Sequence, residues 1–148
     1  MSRYDYKTSS YIAYCKAKDF QSVAEALNVE ENFKLIPTVV NASFACELYL
    51  KALVIWQEKA EKPIRVHKLS ELFEMIDAED RDIVIKSADI FDWNTFFTEA
   101  DNAFVDWRYI HENDGIKKIS IGDLIRFSDA LKCCYERKHK LKEVFIDE

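Results

Sequence analysis

Two glycines and two prolines are all that this 148-residue chain contains, which leaves few places for the tight turns of a β-rich fold. Ala, Leu, Glu and Lys are plentiful instead, and these residues lose little on entering a helix, so the backbone is expected to be mostly helical. Scarce glycine also excludes both common Gly-rich phosphate loops. The four cysteines, Cys15, Cys46, Cys133 and Cys134, include no CxxC pair, and the three histidines, His67, His111 and His139, do not stand at zinc-site spacings from them. Buried, reduced thiols follow, with no metal and no cofactor expected. The opening MSRYDYKTSS lacks the apolar stretch of a secretory signal, so a cytoplasmic location is expected.

Positive charge is also in deficit. A net charge of −6 repels phosphates at long range, so any site for a polyanion has to be local. The most basic stretch, KCCYERKHKLK from Lys132 to Lys142, has the cations expected in the last turns of a helix, where they complement its dipole. Long apolar runs are limited to VVNASFACELYLKALVIW, Val39 to Trp56, almost long enough to cross a bilayer. Glu47 and Lys51 stand near its middle, each costing roughly 2.5–3.5 kcal/mol at a bilayer centre. A buried helix and no membrane is the better reading.

With 49% hydrophobic residues, the chain can build one core, and a single domain over residues 1–148 is expected. A first helix capped by Ser9 or Ser10 runs to about Asn28, with Phe20, Val23, Ala24 and Leu27 at helical spacing. A second starts near Pro37 and reaches about Lys62, where Pro63 stops it; apolar nearly all round, it marks the centre of a bundle. His67 to Asp77 reads as a short amphipathic helix and Ala78 to Ala88 as another, although Ile83-Val84-Ile85 would also suit a strand. A long helix follows from about Asp92 to Asn113, ended by an Asn-Asp-Gly turn. Ser120 and Asp123 then cap a last helix running to about Val144. The whole is an all-α, antiparallel bundle of four to six helices.

Charged residues inside these apolar faces are the candidates for function. On a helix at 100° per residue, Trp93, Phe97, Ala100, Phe104, Trp107 and His111 share an arc of about 80°, with Arg108 on its edge. Asp101 and Glu112 flank Arg108 on the same helix, seven residues before and four after it. On the second helix, Glu47, Lys51 and Glu58 fall within about 40° of one another. A lone buried charge costs several kcal/mol, so Glu47 and Arg108 are expected to pair with each other. Such a pair equally describes a structural network that fixes helix register. His67, between a turn and a helix, is expected to pack or cap, and His139 to be solvated.

Three stretches, NASFACELYLKALV, HKLSELF and FVDWRYIHE, lie in that order over Asn41 to Glu112 and resemble the HEPN domains of bacteria, all-α proteins named for their occurrence in higher eukaryotes and prokaryotes. The resemblance covers about half the chain. It implies a bundle that dimerises around a polar cleft, and a metal-independent endoribonuclease of toxin–antitoxin or antiviral defence systems, with RNA or a nucleotide, and an antitoxin or other protein, as partners. The family also includes non-catalytic modules that bind nucleotides, RNA or proteins. By the resemblance Arg108 and His111 are the catalytic pair. Glu47 and Glu112 would orient the arginine, Tyr109 follows it in the motif, and Asn41 or Lys51 would contact substrate. The nuclease motif separates its Arg and His by about four to six residues and has a polar residue after the arginine. Here Tyr109 and Ile110 alone intervene, which still leaves the two side chains about 60° apart on a regular helix.

In that reading a guanidinium binds phosphate and stabilises its added negative charge, while an imidazole, which changes protonation in the physiological range, moves the proton of the attacking 2′-hydroxyl.

Overall fold

The second helix organises the molecule, because its sequence offers no polar face to leave in water. In the computed structural model, which describes residues 4–112 and 118–140, this helix, α2 (Leu35–Glu58), buries Val39, Cys46, Tyr49, Leu50, Leu53 and Val54 completely. Each such aliphatic or aromatic side chain contributes on the order of 1.5–3 kcal/mol on burial. By length and apolarity α2 would pass as a membrane span, but 78% of that window is buried inside the molecule itself.

Around it stand α1 (Tyr6–Leu27), α3 (Leu69–Met75), α4 (Ala78–Ala88), α5 (Trp93–Ala100), α6 (Ala103–Arg108) and α7 (Ile121–His139), with single 3-10 turns at Glu30–Asn32 and Ile110–Glu112. The described residues form no strand, so the protein is an all-α helical bundle and Ala78 to Ala88 is helix throughout. Helix α1 runs antiparallel to α2: the Tyr6 and Trp56 rings are 5.6 Å apart at one end, those of Phe20 and Phe44 are 4.8 Å apart at the other, and Ser10 Oγ donates to the Ala52 carbonyl between them. Helix α7 runs in the same direction as α2, with Cys46 near Leu124 and Trp56 against His139. It lies antiparallel to α1, where the Tyr14 hydroxyl donates to Glu136 at 2.5 Å.

The helix ends differ from the sequence expectation in instructive ways. Asp5 caps α1, accepting from the Lys7 N–H, whereas Ser10 is fully buried and hydrogen-bonded into the core. Within α1 the buried face is Ser10, Ala13, Tyr14, Ala17, Gln21 and Ala24, while Val23 is exposed. Small residues there let α1 approach α2 closely. Helix α2 stops at Glu58, four residues before Lys62, because Lys59 takes the left-handed conformation (φ 49°) and the N–H groups of Lys59 and Ala60 return to Trp56 and Ile55 carbonyls. Ser120 does cap α7, accepting from the Asp123 N–H. Lys140, left-handed at φ 55°, ends that helix. The expected Asn-Asp-Gly turn and the stretch to Val144 lie outside the described residues.

The long helix expected from Asp92 to Asn113 is broken. Asp92 caps α5 as expected, but α5 ends at Ala100 and α6 starts anew at Ala103 after Asn102 (φ −117°, ψ 16°). Tertiary contacts converge at the break. Asp101 accepts from both the backbone N–H and the hydroxyl of Ser70, at 2.7 and 2.6 Å, and so caps the start of α3 from outside. Phe73 of α3, Trp93, Phe96 and Phe97 of α5 and Phe127 of α7 then close into an aromatic cluster with centroids 5.2–5.9 Å apart.

Candidate functional site

The break between α5 and α6 turns α6 so that it lies along α2. Phe104 stacks on Phe44 at 4.5 Å, and a groove of about 410 Å³ opens beside this contact. Phe44, Glu47, Leu48 and Lys51 line it from α2; Asp101, Asn102, Phe104, Val105 and Arg108 line it from the other side. His67 enters from the segment between α2 and α3. That histidine is not helical: α3 begins only at Leu69, and the extended residues before it bring the imidazole back over α2.

Glu47 does not pair with Arg108. Its Oε2 lies 3.0 Å from Lys51 Nζ, one turn along α2, and 3.0 Å from His67 Nδ1; Lys51 Nζ and His67 Nδ1 are themselves 3.2 Å apart. Glu47 and Lys51 are largely buried, with side chains 9% and 15% exposed, while His67 is 69% exposed. The physical reason is proximity. A lysine four residues along the same helix face reaches the carboxylate without any adjustment of α6, and Glu before Lys is the favourable order for such a pair.

Arg108, released from that pairing, is exposed. Its Nε donates to the Phe104 carbonyl at 3.1 Å, and its guanidinium lies over the rings of Phe104 and Tyr109, 4.3 and 5.2 Å from their centroids. Neither carboxylate expected to flank it does so: Asp101 is held by Ser70, and Glu112 stands 3.8 Å from His111. Among the described residues, no carboxylate forms an ion pair with Arg108. The rings fix the plane of the guanidinium and leave its terminal N–H groups for an incoming anion.

The remaining sequence candidates are dispersed. His111 and Glu112 lie on the 3-10 turn after α6, both well exposed, with side chains 73% and 66% accessible. Tyr109 (φ −113°) ends α6, so the regular 100° spacing that would put His111 beside Arg108 stops one residue after the arginine. His111 does not line the groove. Asn41, on another face of α2, donates to the Pro37 carbonyl at 2.6 Å and is likewise outside it. Tyr109 does not line the groove, although its ring meets the Arg108 guanidinium.

Sequence reasoning passed over His67. The signal that could have found it is its place in HKLSELF, a histidine between two helices whose chain must return across the Glu47–Lys51 face. His139 also differs from expectation. It is half-buried, 4.4 Å from the Trp56 ring and 4.1 Å from that of Tyr135, and burial holds its pKa below the ordinary value. The basic stretch around it is neutralised in part, with Lys138 bound to Asp80 at 2.8 Å.

Chemically, the groove combines one uncompensated guanidinium, an exposed imidazole whose inner nitrogen is already held, and aromatic walls. No cluster of three His, Cys, Asp or Glu able to hold a metal ion exists among the described residues. No family model, no curated protein and no solved structure matches the chain.

Proposed function

We propose that this chain is a HEPN-like module of bacterial defence or toxin–antitoxin type that works in the cytoplasm as a homodimer and binds RNA at the groove around Arg108. The observation that carries the reading is the exposed guanidinium, stacked on Phe104 and Tyr109 and left without a carboxylate partner among the described residues. A guanidinium so held offers paired donors to a phosphate. The site is local, as the acidic chain requires.

Anisotropy with a labelled single-stranded RNA tests this. Arg108→Ala is expected to weaken binding tenfold or more and to reduce the slope of log affinity against log salt by about 0.7, the value for one phosphate contact on a single strand. Unchanged affinity and slope would sink the reading. A second reading, a non-catalytic module that binds a nucleotide or a partner protein, is favoured by the position of His111 outside the groove. It predicts that a mononucleotide or a protein competes for the groove while RNA does not bind.

A further inference from the structure

We infer that a second groove, between α4 and α7, is a thiol-modification site. Cys133 forms a mixed disulfide there with a small, carboxylate-bearing disulfide of the glutathione class, recognised by Lys86 and Arg137. This inference stands apart from the RNA-binding reading and from the groove around Arg108.

The groove has a volume of about 320 Å³, in the range of small-molecule sites. Ile83 and Lys86 line it from α4; Ala130, Cys133 and Arg137 line it from α7, at spacings that keep them on one helix face. The sequence leads one to expect four buried thiols, but Cys133 is exposed. Its neighbour Cys134 is 3% exposed, and burial together with the Asp80 carboxylate pushes that thiol up to about 12. Cys46 is sealed in the core and Cys15 is partly buried. Exposure therefore selects Cys133. Two cations accompany it in the groove: Arg137 one turn along α7, and Lys86 across from it on α4. Both are exposed, and among the described residues neither forms an ion pair with a carboxylate. Asp77 and Asp80 hold Lys138 instead, and Glu136 accepts from Tyr14. A thiol with a guanidinium, an ammonium and the apolar side chains of Ile83 and Ala130 around it suits a short molecule that carries carboxylates near its own sulfur. On an acidic chain such recognition has to be local.

The exchange balances with the incoming disulfide as oxidant. The Cys133 thiol gives its proton to water, and the thiolate attacks one sulfur of the disulfide. The new S–S bond forms as the old one breaks, and the other half leaves as a thiolate that takes up a proton. Cys133 is oxidised and the incoming disulfide is reduced by the same two electrons. Cys134, buried beside Asp80, is not placed to attack the mixed disulfide, so reversal needs a thiol from solution.

The test incubates the full chain with oxidised glutathione and locates the adduct by peptide mass spectrometry. One glutathionyl group is expected, on Cys133, removed by dithiothreitol and missing in Cys133→Ser. Rates are then compared with those of cystamine, a cationic disulfide, each normalised to its rate with cysteine in solution. Wild type is expected to favour oxidised glutathione about tenfold, and about 1 M salt should level the two. The double variant Lys86→Gln, Arg137→Gln, changed at exposed positions and checked for fold by circular dichroism, should lose the preference. An adduct on another cysteine, or none, overturns the inference. Equal normalised rates in wild type, or a preference that the double variant retains, make Cys133 an exposed thiol without a recognition site and overturn it as well. Neither readout involves RNA, so the outcome leaves the RNA-binding reading to its own test.

Discussion

Arg108 and Glu47 were expected as partners, and their separation defines what each does. Glu47 is a buried carboxylate satisfied from its own helix by Lys51 and from the following segment by His67. Arg108 is exposed and held by rings and one carbonyl. Their mutants should therefore differ. Glu47→Ala leaves Lys51 poorly hydrated and without its carboxylate, and should lower stability by about 1–3 kcal/mol, or several degrees in Tm for a chain of this length. Arg108→Ala should change stability by no more than about 0.5 kcal/mol, as surface substitutions do, while its effect appears in ligand binding. Thermal melts of the two variants side by side check this. A large loss from Arg108→Ala would make the guanidinium a structural element instead.

Helix termini, more than helix interiors, decide where the groove lies. At the α5–α6 break Asp101 caps α3 through Ser70, and beyond it α6 lies along α2. Asp101→Ala is expected to cost about 1–2 kcal/mol, the usual effect of losing a cap. Backbone amide exchange should rise specifically in the first turn of α3; an increase spread evenly over the chain would contradict the capping role. At the other end of the molecule, His139 joins the end of α7 to α2 through Trp56. Burial, reinforced by the Lys138 ammonium and partly offset by Asp80, holds its pKa below the ordinary histidine value of 6.5. The unfolded imidazole thus takes up a proton at a higher pH than the folded one, so this contribution is complete above about pH 6.5 and is lost as pH falls from there towards the folded pKa. His139→Phe keeps the ring contacts and removes the titration. Denaturant midpoints measured at about pH 7.5 and 5.5 should fall less in the variant than in wild type, and equal falls would exclude His139 as the source.

Taken whole, the molecule carries the Arg108 guanidinium on an acidic chain, and one guanidinium is a weak anchor for a long RNA. The proposed homodimer supplies a second arginine to the same strand. Sedimentation equilibrium is therefore expected to show a dimer at micromolar concentration. A monomer that retains full RNA affinity would remove the shared cleft from the reading while leaving the groove of one chain as the site.

The all-α architecture, the central place of α2 and the position of Glu47 and Lys51 as charges on its largely buried surface were legible in the residue order, because these follow from glycine scarcity and from periodicity along one helix. The extent of α4 and the Ser120 cap were legible for the same reason, since both depend on neighbours in the chain. The break at Asp101, the burial of Ser10 and His139, and the arrival of His67 at the Glu47–Lys51 face were not. Each depends on which distant backbone donors and side chains meet once the helices pack, and a helical wheel carries no information about an element that does not continue. Periodicity finds a face; only the packed chain selects what that face meets, because a short-range contact strong enough to end a helix or claim a carboxylate forms between residues that are tens of positions apart.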